Sequence, residues 1–190
     1  MKYMGSKRSM LRNGLGTLIL EEAEYATRVI DPFCGTASIA WFAAEHTHLP
    51  VLAADLQLYA VVTARAVISR TTAIDPAPLI DSWLRRAEAV CTEGHLWKNV
   101  EELEHQDDGS PRFVEAARQL CARPSSIGPV WNAYGGYYFS PRQALLLDYL
   151  IRCLPKDDPL RSVCLAATIS AASKCAAAPG HTAQPFSPTP

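Results

Sequence analysis

The chain has 190 residues, enough for one principal domain with a core and a small insertion. It carries 18 lysines and arginines against 19 aspartates and glutamates, and this net charge of −1 excludes a global positive field for nucleic acid. The cysteines form no Cys-x-x-Cys pair, and no apolar stretch is long enough to span a membrane. We therefore expect a cytoplasmic protein with reduced thiols, no metal site and no membrane association.

The first third of the chain predicts a βαβ unit. A helix is expected over residues 16–26, and the β-branched "RVIDPF" (28–33) predicts a buried strand that runs into a loop. An alanine-rich helix is expected over 35–47, followed by a second strand in "PVLAAD" (50–55). Strand, glycine-containing loop, helix and strand in this order are typical of a parallel α/β sheet.

The rest of the chain predicts mainly helices. They are expected over residues 56–70, 76–91, 111–123, 140–154 and 158–178. Ser140 is the expected N-cap of the helix that begins with Pro141. The acidic stretch 93–112 predicts a solvated helix or loop, the aromatic stretch 124–140 an irregular segment, and the Pro-rich end of the chain no regular structure.

The loop after the first strand is the first candidate site. Ligands of α/β proteins bind at the carboxyl edge of the sheet, where Asp31 ends one strand and Asp55 the next. Gly35 lets the backbone approach a ligand, while Asp31 can accept a hydrogen bond and Asp55 can hold ribose hydroxyls. From the spacing alone, both acids could also be helix caps of an ordinary α/β domain.

Four segments carry a family resemblance. "DPFCGTAS" (31–38) resembles the S-adenosylmethionine-binding motif of the DNA adenine-N6 methyltransferases whose chains start with Tyr-x-Gly-Ser-Lys, and "KYMGSKR" (2–8) has that start. "GGYYFSPRQALLLDYLIRCL" (135–154) and "PGHTAQPF" (179–186) are similar to later segments of the same enzymes. The resemblance implies a Rossmann-like α/β methyltransferase sheet with a helical insertion, S-adenosylmethionine as cofactor and double-stranded DNA as substrate.

The resemblance also implies a set of cofactor-binding residues. Tyr3, Gly5 and Lys7 would line the pocket from the N-terminal segment, although a basic segment by itself is typical of a solvated tail. The loop around the methionine part would be formed by Asp31, Phe33 and Gly35, and Asp55 would bind the ribose. The second glycine of the family motif is replaced by Ala37. A methyl group there would come close to the cofactor.

The catalytic motif of the family is missing from the sequence. Methyl transfer to adenine needs an extruded base stacked on an aromatic ring, with its amino group held by acceptors. In the family this is the role of Asp (or Asn or Ser)-Pro-Pro-Tyr (or Phe or Trp). The nearest matches, "DPAP" (75–78) and "SPTP" (187–190), lack the aromatic residue. We therefore expect no catalytic residue in this chain and no methylation by this chain alone.

Three explanations of the missing motif are a truncated chain, an inactive remnant and a split enzyme. The strand that carries the motif in the family would pair beside the strand that ends at Asp31, so its absence would leave an open sheet edge. We favour the split enzyme: a heterodimer in bacterial restriction-modification or defence, whose second polypeptide carries the motif and completes the sheet. The rivals are a remnant with a binding or regulatory role and a methyltransferase acting on RNA or a small molecule.

The resemblance divides the chain into three parts. Residues 1–75 would form the cofactor-binding α/β part, 76–134 a helical insertion for target recognition or partner binding, and 135–190 the return to the α/β part with the Pro-rich tail. Candidate DNA contacts of the insertion are Arg85, Arg86, Lys98, Arg112, Arg118 and Arg123, with Trp97, Trp131 and Tyr134 for stacking. A helical lid on the partner is the alternative, since the acids at 93–108 would repel phosphates.

Overall fold

The computed structural model of the protein describes residues 7–123 and 125–177. They belong to two compact units. The first, here called the α/β unit, comprises residues 7–74 and 155–169, and the second, called the helical unit, comprises 75–123, 125–154 and 170–177. The predicted division into an α/β part (1–75), a helical insertion (76–134) and a return to the α/β part with the Pro-rich tail (135–190) stays a prediction.

The α/β unit begins with helical segments and then forms the predicted βαβ arrangement. Its elements are α1 (Arg8–Met10), a π-helical segment (Leu11–Leu15), α2 (Gly16–Ala23), β1 (Val29–Asp31), α3 (Ser38–His46), β2 (Val51–Ala53), α4 (Leu58–Ile68) and the first part of α10 (Leu160–Cys175). Asn13 and Gly14 leave helical dihedral angles, and the φ of +106° at Gly14 suits a residue without a Cβ. The chain therefore kinks between α1 and α2.

The sheet of the described residues consists of β1 and β2. The strands are parallel, with Val29 opposite Val51 and Asp31 opposite Ala53, which confirms the predicted pairing. Helix α3 packs against both strands. The central residues Ile30 and Leu52, which share one face of the sheet, are 53% and 56% exposed, so the prediction that the first strand is buried was wrong for this face. The predicted α/β class is thus confirmed at the level of a small parallel sheet in a mostly helical chain, which is compatible with part of a methyltransferase fold.

The helical unit is organised around α9 (Pro141–Arg152). Its other elements are α5 (Pro76–Thr92), α6 (His95–Glu104), α7 (Pro111–Cys121), α8 (Pro129–Tyr134) and the last part of α10. Helices α5 to α8 all contact α9. Ser140 caps α9 in a reciprocal capping box with Gln143, as its position before Pro141 predicts. Helix α8 lies where an irregular segment was expected, so that prediction was wrong.

A buried carboxylate fastens α8 to α9. Asp148 is 3% exposed and accepts hydrogen bonds from the backbone N–H groups of Val130 (3.1 Å) and Trp131 (2.7 Å). Burial raises the pKa of Asp148, while these two bonds act in the opposite direction. A Cβ on Gly128 would collide with the Asp148 carboxylate, so the chain requires glycine at that point. The start of α8 is thereby fixed against the centre of α9.

Two chain-wide properties bear on the predictions. All six cysteines are free, and burial raises the pKa of Cys91 to about 11 and of Cys121 to about 12, so both are thiols at neutral pH. None of the helices in the described part of the chain has the length and hydrophobicity that a membrane crossing requires.

Candidate functional site

The loop between β1 and α3 lies at the carboxyl edge of the sheet. The N–H of Cys34 donates to the carbonyl of Ala54 (3.0 Å), which follows β2, and the N–H of Ala37 donates to the carbonyl of Cys34 (2.7 Å). Gly35 and Ala37 both adopt left-handed backbone angles, with φ of +51° and +58°. The loop therefore turns sharply twice, pinned to the second strand, before α3 begins at Ser38.

Lys7 reaches this loop from the N-terminal segment. Its Nζ donates to the carbonyl oxygen of Phe33 (2.9 Å) and lies 3.5 Å from Oδ1 of Asp31. The two contacts bring together three of the residues that the resemblance singled out. Tyr3 and Gly5, which complete the predicted N-terminal part of the pocket, lie outside the described residues.

Asp31 ends β1 as a nearly buried carboxylate. The residue is 5% exposed, and its Oδ2 has no hydrogen-bond partner among the described residues. A buried acceptor without a donor costs about 1–3 kcal/mol relative to a satisfied one. The atom therefore has the capacity to accept a hydrogen bond from a ligand.

Asp55 ties the end of the second strand to the same loop. Its Oδ1 accepts from the N–H of Gln57 and its Oδ2 from the N–H of Gly35, both at 2.9 Å. The two hydrogen bonds hold the pKa of Asp55 below its usual range, and the bond from Gln57 lowers it more than the bond from Gly35. The sequence predicted that Asp31 and Asp55 lie at one sheet edge but not that Asp55 binds the loop itself.

Exposed apolar side chains surround the carboxyl edge. Phe33, directly after β1, is 72% exposed, and Leu56 and Leu58, after β2, are 98% and 77% exposed. Exposed large apolar side chains are costly in water, and where they form a contiguous patch they commonly mark a ligand or partner surface.

Residues 3–121, more than half of the chain, match the family model of the D12 class N6 adenine-specific DNA methyltransferases. The chain belongs to this family. The match covers the N-terminal segment, the loop, Asp55 and the helical unit as far as α7. No curated protein and no solved structure matched the chain. D12 methyltransferases act on adenine in DNA, and S-adenosylmethionine is the cofactor that membership implies.

Ala37 is the residue that, by the sequence resemblance, replaces the second glycine of the family's loop. Its left-handed φ explains why glycine suits the position, since an L-residue there pays about 1–2 kcal/mol. The side chain is fully buried in a cluster with Cys34, Ala60 and Ala64. Because its methyl group packs against α4 residues, the expectation that it would approach the cofactor is not supported.

Cys34 is a packing residue of the loop rather than a nucleophile. It is buried, and its Sγ lies 3.9 Å from the carbonyl oxygen of Ala60. Burial is the largest cause that raises the pKa of its thiol, followed by the charges of Asp55 and Asp31. The thiolate needed for nucleophilic attack is therefore disfavoured.

The candidate DNA-contacting residues of the helical unit differ in burial and in the structural partners of their side chains. Trp131 is 1% exposed in the core, so its assignment as a stacking group was wrong. Arg86 donates to the carbonyl of Cys153 (2.8 Å), and Arg118 lies over the ring of Tyr137, 4.7 Å from the centroid. Both guanidinium groups have structural partners. Tyr134, by contrast, is 48% exposed and accessible to a ligand.

Proposed function

We propose that this chain is the S-adenosylmethionine-binding subunit of a split DNA adenine-N6 methyltransferase. The observation that carries the proposal is the unpartnered, buried Oδ2 of Asp31 beside Lys7, in a loop whose sequence matches the family. The cofactor would supply an electrophilic methyl group on its sulfonium. The ammonium group of its methionine part could donate the hydrogen bond that Oδ2 of Asp31 does not receive from the described residues.

The other loop residues have complementary roles in this proposal. Asp55 would accept from ribose hydroxyls, because each of its oxygens takes one backbone N–H and keeps a free lone pair. Lys7 acts as a positioning residue, since it holds the Phe33 carbonyl and offsets the charge of Asp31. The exposed ring of Phe33 offers an apolar contact at the rim.

The second polypeptide would bring the catalytic Asp-Pro-Pro-aromatic motif, which the 190 residues lack. The free edge of β1 supports this part of the proposal. Val29 donates to the carbonyl of Pro50 and Asp31 accepts from the N–H of Ala54, so these two residues direct their backbone polar groups toward β2. The N–H and C=O of Ile30, which lies between them, therefore point away from β2. No strand of the described residues pairs there, and the side chain of Ile30 is half exposed. Such an edge is suited to an added strand.

The missing motif also favours a second candidate, an inactive methyltransferase remnant with a binding or regulatory role. The two candidates differ in whether the assembled protein transfers a methyl group from radiolabelled S-adenosylmethionine to DNA. Transfer that depends on both polypeptides supports the split enzyme. A complex that binds the cofactor without transferring its methyl group to DNA supports the remnant.

The test of cofactor binding is isothermal titration calorimetry of the full chain with S-adenosylmethionine. Asp31→Ala should weaken binding about 10- to 150-fold, because it removes a charged acceptor worth about 1.5–3 kcal/mol. Asp81→Ala is the matched control, since Asp81 is an exposed acid of α5 paired with Arg85. Circular dichroism verifies that both variants are folded. Equal affinities of wild type and Asp31→Ala would refute the assignment.

A further inference from the structure

A cavity of the α/β unit lies next to the end of the cofactor loop, where Ser38, the last residue of "DPFCGTAS", is one of its lining residues. It has a volume of about 240 Å³ and is lined by Arg8 and Arg12 from the N-terminal segment and by Trp41 and Glu45 from α3, together with Leu11 and Phe42. Trp41 is 47% exposed. The cavity therefore combines two guanidinium groups with an accessible indole ring.

The two arginines of this cavity have no acidic partner among the described residues, in contrast to three other arginines. Arg65 pairs with Asp158, Arg85 with Asp81 and Arg142 with Glu104. Within residues 7–123 and 125–177, neither arginine of the cavity has an ion pair or a side-chain hydrogen bond, although Glu45 lines the same cavity. The first 20 residues of the sequence contain Lys2, Lys7 and both of these arginines but no acid. The N-terminal segment is thus locally basic in a chain of net charge −1.

This combination fits the chemistry of a nucleic-acid strand. Guanidinium groups bind phosphate oxygens through charge-assisted hydrogen bonds, and an exposed aromatic ring stacks on a base or packs on a sugar. The apolar contacts of Leu11 and Phe42 extend the surface that a sugar or base could cover. An acidic protein segment would use the arginines but gains nothing specific from the indole.

We propose that this cavity binds the backbone of a DNA strand, with phosphate on Arg8 and Arg12 and the adjoining sugar or base against Trp41. The inference rests on the proposed function for its substrate class, but it assigns DNA contact to residues outside both the cofactor loop and the insertion 76–134. Glu45 opposes the phosphate, and its charge moderates the affinity of the site.

The experiment measures binding of a short fluorescein-labelled DNA duplex to the full chain by anisotropy over a series of salt concentrations. Arg8→Ala and Arg12→Ala should each lower the slope of log affinity against log salt by about 1, as expected for one lost phosphate contact. Trp41→Ala should weaken binding about fivefold or more with little change in slope. Glu45→Gln should strengthen binding. Arg65→Ala is the control, since Arg65 is an exposed arginine of the same unit that is already paired.

Three results would overturn the proposal. They are a wild-type affinity that does not depend on salt, arginine variants that behave like Arg65→Ala, and variants that keep the DNA affinity but lose a co-purifying protein. The last result would assign the cavity to a protein partner. Calorimetry with S-adenosylmethionine on the same variants separates this test from that of the cofactor site. The cavity variants should bind S-adenosylmethionine with unchanged affinity. Failure of the Asp31→Ala prediction would not change the interpretation of the DNA-binding measurements.

Discussion

Replacement of Ala37 by glycine tests the backbone strain of the cofactor loop. Among the described residues, Ala37 is the only residue other than glycine that has a positive φ, and its methyl group is fully buried. Ala43, also fully buried, lies within α3 and has ordinary helical geometry. The same substitution at the two positions removes the same buried methyl group but relieves strain only at Ala37.

The expected effects on the free energy of unfolding follow from three contributions. Loss of a buried methyl group costs about 0.8 kcal/mol, and the greater freedom of glycine in the unfolded chain costs about 0.5–1 kcal/mol. At Ala37 these losses are offset by about 1–2 kcal/mol from relief of the left-handed conformation. Ala37→Gly should therefore change stability by less than about 1 kcal/mol, whereas Ala43→Gly should destabilise by about 1.3–1.8 kcal/mol.

Urea unfolding of the full chain, followed by circular dichroism, measures both variants. A difference of about 1–2 kcal/mol between them, with unchanged dependence on urea concentration, is the expected result. Equal destabilisation by the two substitutions would refute the left-handed strain at Ala37. It would also remove the physical reason for expecting glycine to suit this position.

Two further predictions concern carboxylates. Asp148→Asn should destabilise the protein by about 1–3 kcal/mol in urea unfolding, because one amide oxygen replaces the two carboxylate oxygens that accept from Val130 and Trp131. Unchanged stability would contradict the role of Asp148 in holding α8 against α9. Since the pKa of folded Asp55 is lowered, its contribution to stability is present above the unfolded pKa of about 3.9 and lost as pH falls through the folded value. Wild type should therefore lose more stability than Asp55→Asn between pH 5 and pH 2, and identical acid profiles would refute this linkage.

The sequence predicted the local elements that have strong chemical signals. The β-branched run before Asp31, the alanine-rich helix after the loop and the second strand all appear, because short parallel strands and their crossover helix have a characteristic order. Ser140 before Pro141 predicted the start of α9, because the preferences for serine at the N-cap and proline at the first helical position are also local.

The sequence did not predict features that depend on tertiary contacts. Helix α8 is held by the Asp148 carboxylate, which lies 17 residues beyond Trp131 in the chain, so no local pattern indicated it. Trp131, a candidate stacking residue from the sequence, lies in the core for the same reason. Likewise, the bond from Gly35 to Asp55 depends on the register of two strands.

The central claim is that this chain binds the cofactor in a methyltransferase whose catalytic motif lies on a second polypeptide. Native mass spectrometry of the tagged protein, purified from its own host at low salt, tests it most directly. We predict a stoichiometric complex with a second polypeptide that contains Asp-Pro-Pro followed by an aromatic residue. A lone species of 20.8 kDa plus the tag, or a single longer chain that carries the motif itself, would contradict the split enzyme.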